Sequence, residues 1–251
     1  MVHFVGAGCG APDLITVRGA RLLAEADEVI YAGSLVNPEL LKYCKPGCAM
    51  HDSAGMTLEQ VIATIEAAEA QGLTTVRLHT GDPSLYGAVR EQFDALDARG
   101  IDFDVCPGVS AMGGAAAALR AEYTVPGRSQ TVIVSRVEGR TPVPERERLR
   151  SLAAHGASVV LFLSAGLVGD AQRELLAGGY APDTPAAIVY RASWPDEKIL
   201  RCRLDALRDT ARANGVDRTA LILVGGFLGG ASGRSKLYDP SFSTGYREAG
   251  T

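Results

Sequence analysis

Thr75-Val76-Arg77-Leu78-His79 runs into Gly81-Asp82-Pro83-Ser84-Leu85-Tyr86-Gly87 and then into a helical pattern from Ala88 to Arg99. The first five residues read as a strand. A loop where a strand hands over to a helix is where open α/β sheets bind small ligands. Gly81 lacks a β-carbon, so a flat ligand can lie against its backbone, while Asp82 offers a carboxylate and Pro83 stiffens the turn. The same three residues also make an ordinary turn with no further role, and the rest of the chain has to decide between the two readings.

Outward from this stretch, strand and helix patterns alternate. His3 to Val5 is a strand, Thr16 to Ala26 a helix, Val29 to Tyr31 a strand and Pro38 to Tyr43 a helix. Thr57 with Gln60 forms a capping box for a helix to Ala70, and Gly72 is placed to end it. Phe103 to Cys106 is the next strand, and Ser110 is an N-cap for the small-residue run Ala111 to Leu119. Such alternation signals a parallel sheet. From Ala121 the texture changes: Val132 to Val134, Val159 to Leu163, Ala187 to Tyr190, Ile199 to Arg203 and Leu221 to Val224 read as strands of a mixed sheet. The expectation is therefore an N-terminal α/β domain over residues 1–119 with a mainly parallel sheet and a C-terminal α/β domain over residues 120–251 with a mixed one. The break falls around Leu119 to Pro126, where the alanine-rich helix ends and Pro126-Gly127 interrupts the chain.

The 251 residues are 47% apolar, enough for a sizeable core. Lysine and arginine total 25 against 29 acids, a net charge of -4, so no basic field advertises nucleic acid. The apolar runs are too short to span a bilayer and the N-terminus lacks a secretory pattern, so the expected setting is cytoplasmic, with no membrane partner. Five cysteines at irregular spacing fit reduced thiols. Cys44, Cys48 and His51 have loose metal spacing but no second knuckle, and Pro46-Gly47 reads more simply as a turn; no metal is expected.

Gly6-Ala7-Gly8-Cys9-Gly10-Ala11 satisfies the loose dinucleotide pattern G-x-G-x-x-A. The acid expected about twenty residues on to hold a ribose is absent, and Tyr31-Ala32-Gly33-Ser34 occupies its place. No P-loop lysine follows a glycine turn, which disfavours a nucleoside triphosphate. Ser110 superficially suggests a nucleophile elbow, but Met112 stands where its second glycine belongs. His3 and His79 fall in strands, where hydrogen-bonded histidines are expected.

The glycine loop, Gly81-Asp82-Pro83 and Pro107-Gly108-Val109-Ser110-Ala111 all follow strands of one parallel sheet. On these motifs, together with Asp13-Leu14-Ile15-Thr16, the chain resembles the tetrapyrrole methylases, S-adenosylmethionine-dependent methyltransferases with two α/β domains and a cofactor cleft between them. The resemblance covers nearly the whole chain. Tyr31-Ala32-Gly33-Ser34-Leu35, Ser135-Arg136-Val137-Glu138-Gly139-Arg140-Thr141-Pro142, Tyr190-Arg191-Ala192-Ser193-Trp194-Pro195 and Ser235-Lys236-Leu237-Tyr238-Asp239-Pro240 are more specific, and resemble the members that methylate precorrins in cobalamin biosynthesis.

The resemblance implies a fold, a cofactor and a substrate. S-adenosylmethionine would be held by Gly81, Asp82, Leu85, Ser110 and Ala111 of the N-terminal domain and by Leu163, Ala192 and Ala220 of the C-terminal one, leaving as S-adenosylhomocysteine. Ser110 has the competing reading of a plain N-cap. The substrate would be a reduced, carboxylate-rich tetrapyrrole. Arg136, Arg140 and Arg191 lie in or beside the specific motifs and are nominated for its carboxylates, which arginine binds bidentately; solvated surface arginines are the alternative. Arg18 and Arg120 are weaker nominees. The sulfonium is a good leaving group, so no side chain is required as nucleophile and no catalytic residue is assigned. Relatives acting on uroporphyrinogen carry an acid where this chain has Ala32, which argues against that reaction. A methylase for another ring position and a non-catalytic tetrapyrrole binder stand as alternatives, and the resemblance implies a homodimer.

Overall fold

The computed structural model describes residues 1–230 and 235–250. Its first sheet contains β1 (Val2–Gly6), β2 (Glu28–Tyr31), β3 (Ala49–Asp52), β4 (Thr75–His79) and β5 (Phe103–Cys106) in the order β3-β2-β4-β1-β5, every pair parallel. Parallel neighbours require crossovers, and the helices supply them: α1 (Val17–Glu25), α2 (Leu58–Glu69) and α3 (Arg90–Asp97), with α4 (Ala111–Leu119) following the last strand. Both faces of the sheet are thereby covered, one by Leu22, Leu23, Val36 and Leu40, the other by Val61, Ile62, Ile65 and Leu96. β4 is buried at every position, as a central parallel strand should be.

Local chemistry sets the helix ends. Thr16 Oγ1 accepts from Gly19 N–H at 3.0 Å to open α1. Thr57 and Gln60 form the reciprocal capping box expected for α2. Two elements depart from expectation. Pro38–Tyr43 is a 3-10 helix, because six residues between Asn37-Pro38 and Cys44 leave no length for a stable α-helix. The helix expected from Ala88 begins at Arg90, since Tyr86 and Ala88 hold φ of 57° and 49° and leave the right-handed region.

The second sheet contains β6 (Val132–Arg136), β7 (Ser158–Phe162), β8 (Pro185–Tyr190), β9 (Lys198–Arg203) and β10 (Ala220–Val224), ordered β6-β7-β10-β8-β9. Only β6 and β7 pair in parallel; the other three pairs are antiparallel. Helices α5 (Leu149–Ala153), α6 (Val168–Ala177) and α7 (Leu207–Ala213) bury Leu149, Leu175 and Leu207 against it. The mixed pairing follows from the β8–β9 hairpin and from β10 returning between β7 and β8.

The chain forms two compact units, Met1–Ala115 with Arg191–Glu197, and Ala116–Tyr190 with Lys198–Thr251. The connection between β8 and β9 thus belongs with the first sheet, whereas the sequence reading keeps it within 120–251. Among the described residues no helix is long and apolar enough to cross a membrane.

Candidate functional site

Three loops leave the C-terminal ends of the neighbouring strands β4, β1 and β5, the last at the edge of the first sheet, and their backbones meet. Gly8 and Gly81 exchange hydrogen bonds, Gly81 N–H to Gly8 O at 2.8 Å and Gly8 N–H to Gly81 O at 3.3 Å. A β-carbon on Gly6 would lie 2.5 Å from Gly108 Cα and 2.7 Å from Gly81 O; one on Gly108 would overlap Gly81 O. Glycine is needed at these positions because backbone touches backbone. At Gly81 the requirement is different: φ is +62°, and the space beside it is open to Ala111 N at 3.6 Å and Ser110 Cα at 3.9 Å. The result is a surface of bare main chain at the strand ends.

Asp82 clasps that surface. Its Oδ2 accepts from Gly108 N–H at 2.8 Å, and its Oδ1 accepts from Ser84 N–H at 2.9 Å and from the Ser84 hydroxyl. Partial burial pushes the carboxyl upward, but the Ser84 hydroxyl and the two N–H donors outweigh it and hold the group below its ordinary 3.8. Both oxygens therefore serve the protein, and Asp82 joins the Gly-Asp-Pro loop to the loop after β5. Ser110 Oγ accepts from Met112 N–H at 3.4 Å, the N-cap geometry of α4.

The segment Arg191–Glu197 completes this unit from the far end of the chain. Ala11 N–H donates to Ser193 Oγ at 3.0 Å, and Cys9 Sγ lies 3.3 Å from the same oxygen. Gly10 faces Trp194, and a β-carbon there would come within 2.6 Å of the indole nitrogen. Asn37 Nδ2 donates to Gly10 O at 2.9 Å in a buried position. Ala192 is buried, its Cβ 3.4 Å from where a Gly114 side chain would begin. Arg191 ion-pairs with Asp196 at 2.6 Å, and its guanidinium stacks 4.1 Å over the Trp194 ring. Ser193, Trp194 and Asn37 are not nominated as site residues from the sequence, although Ser193 and Trp194 lie within the specific Tyr190-to-Pro195 motif.

In the second unit, the expected residues gather at one end of the second sheet. The register sets Arg136 beside Phe162, and Ala220 opposite Tyr190. Leu163 follows β7 with φ of 51° and 68% of its surface exposed, an unusual state for a leucine. Ser164 beneath it is fully buried; its Oγ accepts from Val137 N–H at 2.8 Å and donates to Phe162 O at 2.7 Å. The arginines separate in kind. Arg136 donates to the carbonyls of Thr141 at 3.0 Å and Pro142 at 2.8 Å and so folds its own loop. Arg140 is exposed and, among the described residues, makes no hydrogen bond or ion pair.

Two other expectations meet a different outcome or setting. His79 is 5% exposed and stacks on Phe4, but its Nε2 has no hydrogen-bond partner, against the expectation of a hydrogen-bonded histidine. Burial, then the nearby Arg77 charge, drives its pKa down to about 3, so the ring is neutral. Around Cys44 and Cys48, burial first and the neighbouring thiol second push Cys44 up to about 11, which keeps it a thiol. Among the described residues no three of His, Cys, Asp or Glu are grouped to hold a metal ion.

A family model described as tetrapyrrole (corrin/porphyrin) methylases matches residues 1–208. A cobalt-precorrin-4 C(11)-methyltransferase of Methanocaldococcus jannaschii is 48% identical over 249 residues, 99% of this chain and 96% of that protein. The X-ray structure of a cobalt precorrin-4 methyltransferase, a cobalamin biosynthetic enzyme, superposes with a TM-score of 0.89 at 46% identity, covering 91% of this chain and 96% of that one. A uroporphyrin-III C-methyltransferase from Thermus thermophilus, complexed with S-adenosylhomocysteine, gives 0.74 at 28% identity over 91% and 93% of the two chains. The chain belongs to the tetrapyrrole methylases and is a methyltransferase.

Proposed function

We propose that this methyltransferase transfers the methyl group of S-adenosylmethionine to C11 of precorrin-4, giving precorrin-5 and S-adenosylhomocysteine in cobalamin biosynthesis. The observation that carries the reading is the 48% identity over 99% of the chain to a C11-methyltransferase. Ala32 at the end of β2, in place of the acid of uroporphyrinogen-methylating relatives, points the same way.

The site's chemistry fits the donor. Its surface is glycine backbone with no lysine cradle: Lys42 and Lys45, the lysines of the first unit, pair with Glu39 and Asp27. Such a surface suits a ligand with ribose, adenine and an amino-acid end but no phosphate. The donor supplies a methyl on a sulfonium; the new C–C bond forms as the S–C bond breaks, its electron pair returns to sulfur, and the macrocycle sheds a proton. What the chain contributes is orientation of donor and acceptor, the contribution that dominates when the leaving group is already good.

Gly81, Asp82, Leu85, Ser110, Ala111 and Ala192 are the first unit's contributors to donor binding in this reading. Leu163 and Ala220 are the second unit's. For substrate carboxylates, Arg140 is the nominee with its fork uncommitted. Arg136 and Arg191 act mainly by shaping the loops that carry them, because carbonyls or Asp196 already take their donors. The protein is read as acting in the cytoplasm as a homodimer.

The test is the product. With precorrin-4 and carbon-13-labelled S-adenosylmethionine, carbon NMR is expected to place the label on C11. A label at another carbon keeps the class and overturns the assignment, and running the cobalt and metal-free macrocycles side by side shows which is used.

A further inference from the structure

Beside the Gly-Asp-Pro loop, between β4 and helices α2 and α3, the first unit holds a cavity of about 270 Å3. Arg77 and His79 line it from alternate positions of β4, Thr57 and Val61 from α2, Leu85 and Ala88 from the loop, and Gln92 from α3. The rim of the cavity is partly exposed and polar, with Thr57, Thr80 and Glu91 on it, while its floor holds the buried Val61, Arg77, His79 and Gln92. Arg77 stands out there: it is 7% exposed, and a guanidinium at that depth ordinarily faces a carboxylate.

Among the described residues no carboxylate lies within 4.0 Å of it. Arg77 Nε donates to Gln92 Oε1 at 3.1 Å and Nη1 to Ile30 O at 3.2 Å, both neutral acceptors. Among the described residues it makes no ion pair and Nη2 makes no hydrogen bond; Glu91 lines the same cavity without pairing to it. Burial lowers the guanidinium only to about 10, so it keeps its charge at neutral pH. His79, in the same wall, has an unpartnered Nε2 and is itself 5% exposed. Gln92 is held in place by donating from Nε2 to Ala88 O at 2.9 Å, which fixes both the acceptor facing Arg77 and the loop walling the cavity. A buried charge without a counter-ion, a neutral imidazole whose Nε2 is unpartnered, and a cavity lined by both describe half of a salt bridge.

We propose that this cavity receives a carboxylate, held by Arg77 and His79, and that the carboxylate is an arm of the tetrapyrrole substrate. The identity of the arm rests on the methylation reading above. Volume supports an arm rather than a ring: 270 Å3 falls below the roughly 300–1,000 Å3 of sites that enclose a drug-sized ligand. The cavity also shares Leu85 with the donor surface proposed above, which would set the arm beside the donor. The amino-acid end of S-adenosylmethionine carries the same chemistry, and the experiment separates the two sources.

In the full-length protein, Arg77→Met is expected to leave the thermal midpoint unchanged or raise it, because an unpaired buried charge is replaced by an apolar chain of similar length. The KM for precorrin-4 should rise about ten- to a hundredfold, with kcat and S-adenosylhomocysteine affinity changed by less than about threefold. A loss confined to S-adenosylhomocysteine affinity would keep the carboxylate site and move the source to the donor. Unchanged constants in a folded variant overturn the proposal and return Arg77 to a tie between β4 and α3. Gln92→Glu covers the case in which Arg77→Met does not fold: it supplies the missing carboxylate from within, and should raise the midpoint while weakening the same ligand. Unchanged affinity in Gln92→Glu overturns the proposal as well. Failure of the methylation reading shows separately, as absent or misplaced turnover by the wild type. Succinate then serves as the probe, and must stabilise the wild type but not Gln92→Glu.

Discussion

The two units solve the same problem, turning the chain sharply at the end of a sheet, with different residues. In the first, Gly6, Gly8, Gly81 and Gly108 let three loops touch backbone to backbone. In the second, Leu163 and Thr219 stand at the sheet's end with φ of 51° each, where an L-residue pays about 1–2 kcal/mol. The contact glycines are dictated by space, and the left-handed non-glycine residues of the Gly-Asp-Pro loop, Tyr86 and Ala88, come only after them. The strained positions keep side chains that glycine would remove, and Leu163 holds most of its own in solvent. Under the proposed donor reading the strained, exposed leucine keeps a side chain for the ligand, whereas at the contact glycines a side chain is excluded by backbone.

Gly108→Ala should break the first arrangement most severely. Its β-carbon would overlap Gly81 O and lie 2.7 Å from Gly6 Cα, with backbone on both sides unable to yield. A loss of about 3 kcal/mol or more is expected, seen as a large fall in denaturant midpoint or as insoluble protein. A midpoint equal to that of wild type would show that the loops do not meet as described.

Asp82→Asn should have an intermediate effect, because the clasp on Gly108 N–H and Ser84 loses its charge but not its shape. About 1 kcal/mol or less is expected for this half-exposed group, together with weaker S-adenosylhomocysteine binding by calorimetry. The pH dependence has a definite sign. The folded carboxyl lies below its ordinary 3.8, so its contribution is present above that value and is lost as pH falls through the folded pKa. The stability gap between wild type and variant should accordingly be constant near neutrality and close below about pH 4. A gap that persists at lower pH assigns the effect to packing instead.

Leu163→Gly should have the smallest effect on stability and the sharpest meaning. Relief of the left-handed backbone and the greater freedom of unfolded glycine nearly cancel, leaving a change within about 1 kcal/mol. Donor affinity should nonetheless fall. Undiminished S-adenosylhomocysteine binding would leave the strain at this position without a ligand to explain it.

Much of the architecture is written locally. The capping box at Thr57 and Gln60, the N-cap of Ser110 and the Gly-Asp-Pro turn each depend on residues within a few positions, so their structures can be read from the chain directly. The alternation that indicates a parallel sheet is equally local, since period and turn chemistry recur along the sequence. The same reading fails at Ala88, where a helical pattern says nothing of the left-handed backbone that the loop imposes two residues before α3.

What tertiary structure alone decided are the roles of residues whose partners lie far away. Nothing near Ser193 marks it as the acceptor for Ala11 N–H, 182 residues distant. Arg136 and Arg140 share one motif, yet one is spent on its own loop's carbonyls and the other is uncommitted. Arg77 reads in sequence as one more charged residue in a strand; only the packed sheet and helices remove it from water without giving it a carboxylate. By itself the sequence determined the class, two α/β domains of tetrapyrrole methylase type, because turn, cap and alternation are properties of neighbouring residues. Which carboxylates, carbonyls and charges meet depends on burial and on contacts across the fold, and those exist only once the chain has closed on itself.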